Sequence, residues 1–203
     1  MKTFIYAVAV MACAGLLLLG CSDKSPSPVA PTDQSINPPS SLEKHIIKNI
    51  IREFSGTMDP IEVTDPGTTK VVHGKTVIRG MHNKVVTSAT FADGRADLFS
   101  GQGDLELNAI VDLAAGEGYW WGMVKLTPAA PEALGGYWEI FWYGRGKLGP
   151  TGWTLPLKES GYGKGGALSG SNIFLDNIIT APPDLSFWHG EYQGSIKPHC
   201  GHH

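Results

Sequence analysis

Thiols, imidazoles and two glycine-rich stretches are the places where residue type and spacing in this 203-residue chain invite chemistry. Gly144-Arg145-Gly146-Lys147-Leu148-Gly149 and Gly161-Tyr162-Gly163-Lys164-Gly165-Gly166 both match the spacing of dinucleotide-binding loops. That chemistry needs a following helix whose amides face the pyrophosphate, and an acidic residue about 20 positions on. Pro150 and Gly152 break any helix after the first stretch and strand-like sequence follows the second, so both are expected to be turns and bulges, with no cofactor. Gly-x-Ser-x-Gly, His-Glu-x-x-His and Cys-x-x-Cys are all missing, which removes the common hydrolase and zinc templates and leaves no catalytic residue to name. His199-Cys200-Gly201-His202-His203 brings four soft or borderline ligands together, but with no second shell to orient them it equally fits a solvated end, and no metal site is assigned. His82 and His189 fit strand ends better than catalytic bases.

The aromatic residues are the least ordinary feature. Tryptophans stand at 120, 121, 138, 142, 153 and 188, with Tyr119, Tyr137, Tyr143 and Tyr162 near several of them. If Trp138, Ile140 and Trp142 face one way along a strand, Tyr137, Glu139, Phe141 and Tyr143 face the other, so both faces are aromatic. One account is a core packed on a neighbouring segment. The other is an aromatic-lined pocket for an apolar ligand, built from Trp121, Trp138, Trp142 and Tyr162, with Arg79 and Glu139 as the polar groups that orient it. A surface ion pair on the outward face would explain Arg79 and Glu139 more simply.

The remaining thiol chemistry sits at the amino terminus. Lys2 provides a positive start, and Phe4 to Gly20 form an apolar run that is short for a membrane span and lacks a following stop-transfer cluster. The run ends Leu18-Leu19-Gly20-Cys21, which resembles the bacterial lipobox. The resemblance implies cleavage before Cys21, a diacylglyceryl thioether on its sulfur and a further acyl chain on its freed amine. At ~0.8 kcal/mol per buried methylene, one chain is marginal and several hold durably. Residues 1–20 are thus expected to be a signal peptide, Cys21 the lipidation site, and the membrane a partner through that lipid. Ser22 follows the cysteine, which resembles the outer-membrane sorting pattern of enterobacterial lipoproteins, so the expected location is the cell envelope, at the outer membrane. Residues 21–41 are Pro/Ser-rich, almost without apolar side chains, and read as an unstructured tether able to reach ~60 Å when extended. Cys13 lies in the leader, so Cys200 has no intrachain partner in the mature domain and no disulfide framework is expected.

What those groups would be mounted on follows from composition. The chain is 42% hydrophobic and 17% charged with 26 glycines, enough for one core of short strands and tight turns. Its charge of −3 is scattered, which argues against nucleic acid as a partner. Residues 42–54 suit a short helix or a strand and are read as a lead-in; residues 55–198 form the main domain and 199–203 a His/Cys tail. Candidate strands are Glu53–Asp59, Lys70–His82, Val85–Phe91, Ala96–Ser100, Gly103–Ala114, Gly118–Thr127, Gly136–Gly144, Trp153–Leu157, Gly166–Thr180 and Ser186–Lys197. The clearest alternation places Leu105, Leu107, Ala109, Val111 and Leu113 on one buried face. Consecutive strands without crossover helices predict an all-β, antiparallel meander of roughly eight strands, closed into a barrel in preference to a sandwich.

Arg79-Gly80, Gly122 after a paired aromatic, Gly136-Tyr137-Trp138-Glu139, Gly161-Tyr162-Gly163 and a final strand Gly190-Glu191-Tyr192-Gln193-Gly194 follow one another in an order that resembles the allene oxide cyclase-like barrels of the calycin group. The likeness spans roughly residues 76–196. It implies the barrel fold and carries no catalytic residue and no reaction to this chain. The expected function is a lipid-anchored, non-enzymatic barrel that binds a small apolar ligand or serves as a structural or interaction module. A cyclase- or isomerase-like enzyme would instead require a solvent-connected cavity holding a polar group whose proton affinity burial has displaced. Carbohydrate binding by exposed aromatics is a third reading.

Overall fold

The computed structural model describes residues 50–133 and 135–198. The leader, Cys21, the tether, most of the lead-in and the His/Cys tail lie outside the described residues.

Nine antiparallel strands follow one another: β1 (Arg52–Asp65), β2 (Thr68–Val72), β3 (Lys75–Phe91), β4 (Gly101–Asp112), β5 (Glu117–Pro128), β6 (Tyr137–Gly149), β7 (Gly152–Lys164), β8 (Ser171–Ala181) and β9 (His189–Pro198). Each strand from β2 to β9 pairs with the next, β9 pairs with β1, and β1 pairs with β3, so eight strands close on themselves. The expected closed antiparallel barrel is what forms. The ninth strand is an extension of the first: β1 runs along β3 from Phe54↔Phe91 to Asp65↔His82, and β2 continues the same lane from Thr68↔Arg79 to Val72↔Lys75. The lane bends at Gly67, whose φ is +62° and where a Cβ would stand 2.3 Å from the Arg79 carbonyl oxygen. It then turns back through His73 and Gly74, both left-handed, the two-residue geometry that suits a twisted hairpin.

Several local expectations need correction. Lys70–His82 is two strands separated by that turn, because β-branched residues on both sides of His73-Gly74 mask the punctuation. β1 begins at Arg52, one residue ahead of the expected Glu53, so the end of the 42–54 lead-in is strand. Leu113 lies in the turn after β4 and is exposed, whereas Leu105, Ala109 and Val111 are buried as the alternation requires. Ala96–Ser100 is not a strand. There Asp97 Oδ1 accepts from the backbone N–H of both Phe99 and Ser100, at 2.8 Å each, a local turn that competes with ladder pairing.

That turn closes one end of the barrel. It presses Leu98 and Phe99 fully into the interior, where Phe99 meets the rings of Phe54 at 5.0 Å and Tyr192 at 5.3 Å. Trp138 Nε1 donates to the Leu98 carbonyl at 2.8 Å, and Leu168 is buried at the same end. Arg52 covers this plug from the side. Its guanidinium lies 4.3 Å from the Phe91 ring centroid and donates to both Asp93 carboxylate oxygens at 2.8 and 3.0 Å, and that partner holds the Asp93 carboxyl down at about 2.

The other end is built differently. β9 meets β1 only from Arg52 to Met58, so beyond Met58 the β1–β2 lane has no β9 partner and the rim is uneven. His189 Nδ1 bonds Asp59 Oδ1 at 2.6 Å where the two strands part.

Glycines explain how so many indoles fit inside. The Trp120 ring lies where a side chain at Gly118 or Gly146 would otherwise sit, with ring atoms 2.3 and 2.8 Å from those Cβ positions. The Trp142 ring occupies the same kind of space above Gly122, at 2.7 Å.

Candidate functional site

Toward the uneven rim the interior is not filled. β7 sends Trp153, Leu155, Leu157 and Glu159 inward and exposes Thr154, Pro156, Lys158 and Ser160. β8 likewise sends Ile173, Leu175, Asn177 and Ile179 inward. Between these strands and the facing β3, β4 and β5 lies a cavity of about 130 Å³. Its walls are largely aliphatic and aromatic, with Leu105, Val124, Trp120 and Leu155 among them.

Three polar side chains sit at the cavity floor, midway along the barrel. Trp142 and Glu159 are direct partners across β6 and β7, and Asn177 lies one diagonal step away on β8, opposite Leu157. Asn177 Nδ2 donates to Glu159 Oε1 at 2.8 Å. Trp142 Nε1, Glu159 Oε2 and Asn177 Oδ1 are buried with no partner among the described residues. Buried polar atoms without partners cost stability unless something else satisfies them. Asn83 adds a buried amide to the same lining.

Burial pushes the Glu159 carboxyl up to about 7, and the bond from Asn177 offsets only part of that rise. Tyr192, deeper toward the plug, is also raised, by burial first and then by the charges of Asp97 and Glu159; its hydroxyl donates to the Ser88 carbonyl at 2.9 Å. The floor therefore holds a carboxyl group able to give or take a proton near neutral pH, inside an apolar chamber.

The segment joining β8 to β9 roofs the mouth. Leu185, Phe187 and Trp188 line the cavity from above. The Leu185 N–H donates to Pro182 O at 3.0 Å, and Trp153 Nε1 donates to Pro183 O at 3.3 Å, which ties this segment to the barrel wall. Leu185 has a φ of +56°, left-handed for a branched side chain, which costs about 1–2 kcal/mol. Phe187 remains exposed.

The residues singled out from sequence fall in three places. Trp142 lines the cavity. Trp138 is fully buried in the plug at the opposite end, away from the cavity lining. Arg79, Trp121, Glu139 and Tyr162 lie on the outer surface: the Arg79 guanidinium stacks 4.5 Å from the Trp121 ring, and Glu139 faces Lys164 at 3.9 Å, whose ammonium lies 4.5 Å from the Tyr162 ring. Glu159 and Asn177 were not singled out, although a signal existed. Each interrupts a period-two apolar series, Trp153-Leu155-Leu157 and Ile173-Leu175 respectively, at a position that must point inward. Among the described residues no three His, Cys, Asp or Glu side chains are placed to hold a metal.

Compared with known protein families, curated proteins and solved structures, the chain matches none.

Proposed function

We propose that this chain is a lipid-anchored, calycin-like barrel of the bacterial cell envelope that holds a small apolar ligand in the chamber between β3–β5 and β7–β8. The observation that carries the reading is the chamber itself: apolar walls, a few buried polar side chains in its lining, and a roof made of a single connecting segment. Small-ligand sites have this composition, because apolar surface supplies affinity and a few fixed polar atoms supply orientation. A purely structural module gains nothing from leaving partnerless polar atoms in its interior.

The test is native mass spectrometry of the full chain purified from its own membranes. A reproducible adduct of low mass is expected on the native protein and lost in Leu155→Trp, which fills the chamber. An adduct-free spectrum in repeated preparations, together with no thermal shift from small aromatic compounds, overturns the reading.

The anchor has its own test. Labelled palmitate is expected on the native chain and not on Cys21→Ser, which should leave the membrane fraction. Retention of Cys21→Ser in the membrane, with no label in either form, overturns the anchoring.

A second reading has one specific observation behind it. Glu159, held near pH 7 by burial within the chamber, is a suitable proton-transfer group for a cyclase- or isomerase-like reaction on an apolar substrate.

A further inference from the structure

Glu159 is the one titratable side chain among the residues that line the chamber. Its register on β7 fixes that placement, since Trp153, Leu155 and Leu157 precede it on the inward face at every second position. The side chain is buried, with Asn177 Nδ2 donating to Oε1 at 2.8 Å and Oε2 without a partner among the described residues. No lysine, arginine or histidine lines the chamber to compensate a negative charge. Burial therefore dominates and holds the carboxyl up at about 7.

The charged and titratable groups of the surrounding elements are engaged elsewhere. β6 sets Trp142 beside Glu159 and β8 sets Asn177 there, both uncharged, and β3, β4 and β5 line the chamber with uncharged side chains only. On β9 the Tyr192 phenol donates to the Ser88 carbonyl and is kept protonated by burial first, then by the charges of Asp97 and Glu159. On β1 Arg52 is bound by both carboxylate oxygens of Asp93 at the plug. At the rim His189 bonds Asp59 and has Glu191 at 3.9 Å from its other ring nitrogen, and none of the three lines the chamber.

An uncharged apolar molecule in the chamber surrounds Glu159 with hydrocarbon. Hydrocarbon accommodates a neutral acid at modest cost and a lone carboxylate at a far higher one, so the guest and the negative charge exclude each other. Size limits the guest: an apolar cavity of about 150 Å³ takes up benzene, and the 130 Å³ here is on that scale. We infer that Glu159 is the specificity-determining residue of the chamber, admitting an uncharged guest of one small ring only together with a proton and releasing it when that proton is lost. The inference rests on the ligand-binding reading above and specifies the charge state in which that site is open. By linkage, affinity is fully present below about pH 7 and falls as pH rises above it.

The probe is benzene, titrated calorimetrically into the full chain in detergent against a detergent blank. Native affinity is expected to be about tenfold weaker at pH 8 than at pH 6, because one unit above 7 only about a tenth of the carboxyl groups keep their proton. Repeating the titration at pH 7 in buffers of different ionisation enthalpy should count about half a proton taken up per benzene bound, and close to none at pH 5. Glu159→Gln, which cannot ionise, should bind equally at pH 6 and 8 with no proton uptake. His189→Gln should keep the native pH dependence and proton count. Equal native affinity at pH 6 and 8, or a proton count that survives in Glu159→Gln or vanishes in His189→Gln, overturns the coupling and leaves ligand binding standing. Absence of benzene binding to the native chain at both pH values overturns both.

Discussion

Replacing Glu159 with glutamine is expected to make the protein more stable than the native chain at pH 8 and to flatten its stability between pH 5 and 7. The native carboxyl is raised to about 7 in the fold from an ordinary 4.5, so between these values the folded state holds a proton that the unfolded chain has released. Folding stability is therefore fully present below about 4.5 and is lost as pH rises through about 7. At 1.36 kcal/mol per pKa unit the loss amounts to about 3 kcal/mol. Glutamine keeps the shape and still accepts from Asn177 Nδ2 through its carbonyl, but it has no proton to lose. Urea midpoints of the two proteins measured from pH 5 to 8 isolate this one group, because every other titration is common to both. Parallel curves would show that Glu159 is not held neutral by its surroundings.

Trp138→Ala is expected to cost about 4 kcal/mol, the usual range for removing a fully enclosed indole being 3–5 kcal/mol. Trp138 is fully buried in the plug, and its Nε1 satisfies the Leu98 carbonyl, which has to be left unmet or rehydrated in the variant. Trp138→Phe should lose less, about 1–3 kcal/mol, mostly through that carbonyl and the smaller ring. Trp121→Ala, whose ring lies outside under Arg79, should lose about 1 kcal/mol or less. The three midpoints, taken at one pH by chemical denaturation, rank the plug against the surface. A Trp138→Ala protein as stable as Trp121→Ala would mean that the closed end does not depend on its indole.

The meander was legible in the sequence because strand follows strand, punctuated by glycine, with no crossover helix. Closure was inferred from strand number and the cost of open edges, and the lane shared by β1 and β2 could not be inferred, since it depends on pairing between residues distant along the chain. Locating the site from sequence was harder, for a definite physical reason. Large side chains occur on both faces of β6 and β8: Trp138, Ile140 and Trp142 point in, while Phe141, Tyr143 and Phe174 are exposed. With both faces apolar, aromatic content cannot tell inside from outside, and four of the six residues chosen for their type lie on the outer surface. The informative residues were polar ones in apolar registers. Ending the β7 strand at Leu157, where the sequence turns to Lys158, Glu159 and Ser160, hid the one carboxylate that the register carries inward.

The seam has a consequence for how the molecule comes into being. Arg52 pairs with Ile196, so the two edges that must join are almost the whole domain apart along the chain. Loop-closure entropy makes such contacts late and slow. Until the last strand arrives, β1 and β8 each present an unprotected edge to neighbouring molecules, a template for aggregation. A chain emerging amino end first therefore spends its most vulnerable interval awaiting β9, and deleting His189–Pro198 should harm solubility out of proportion to the mass removed.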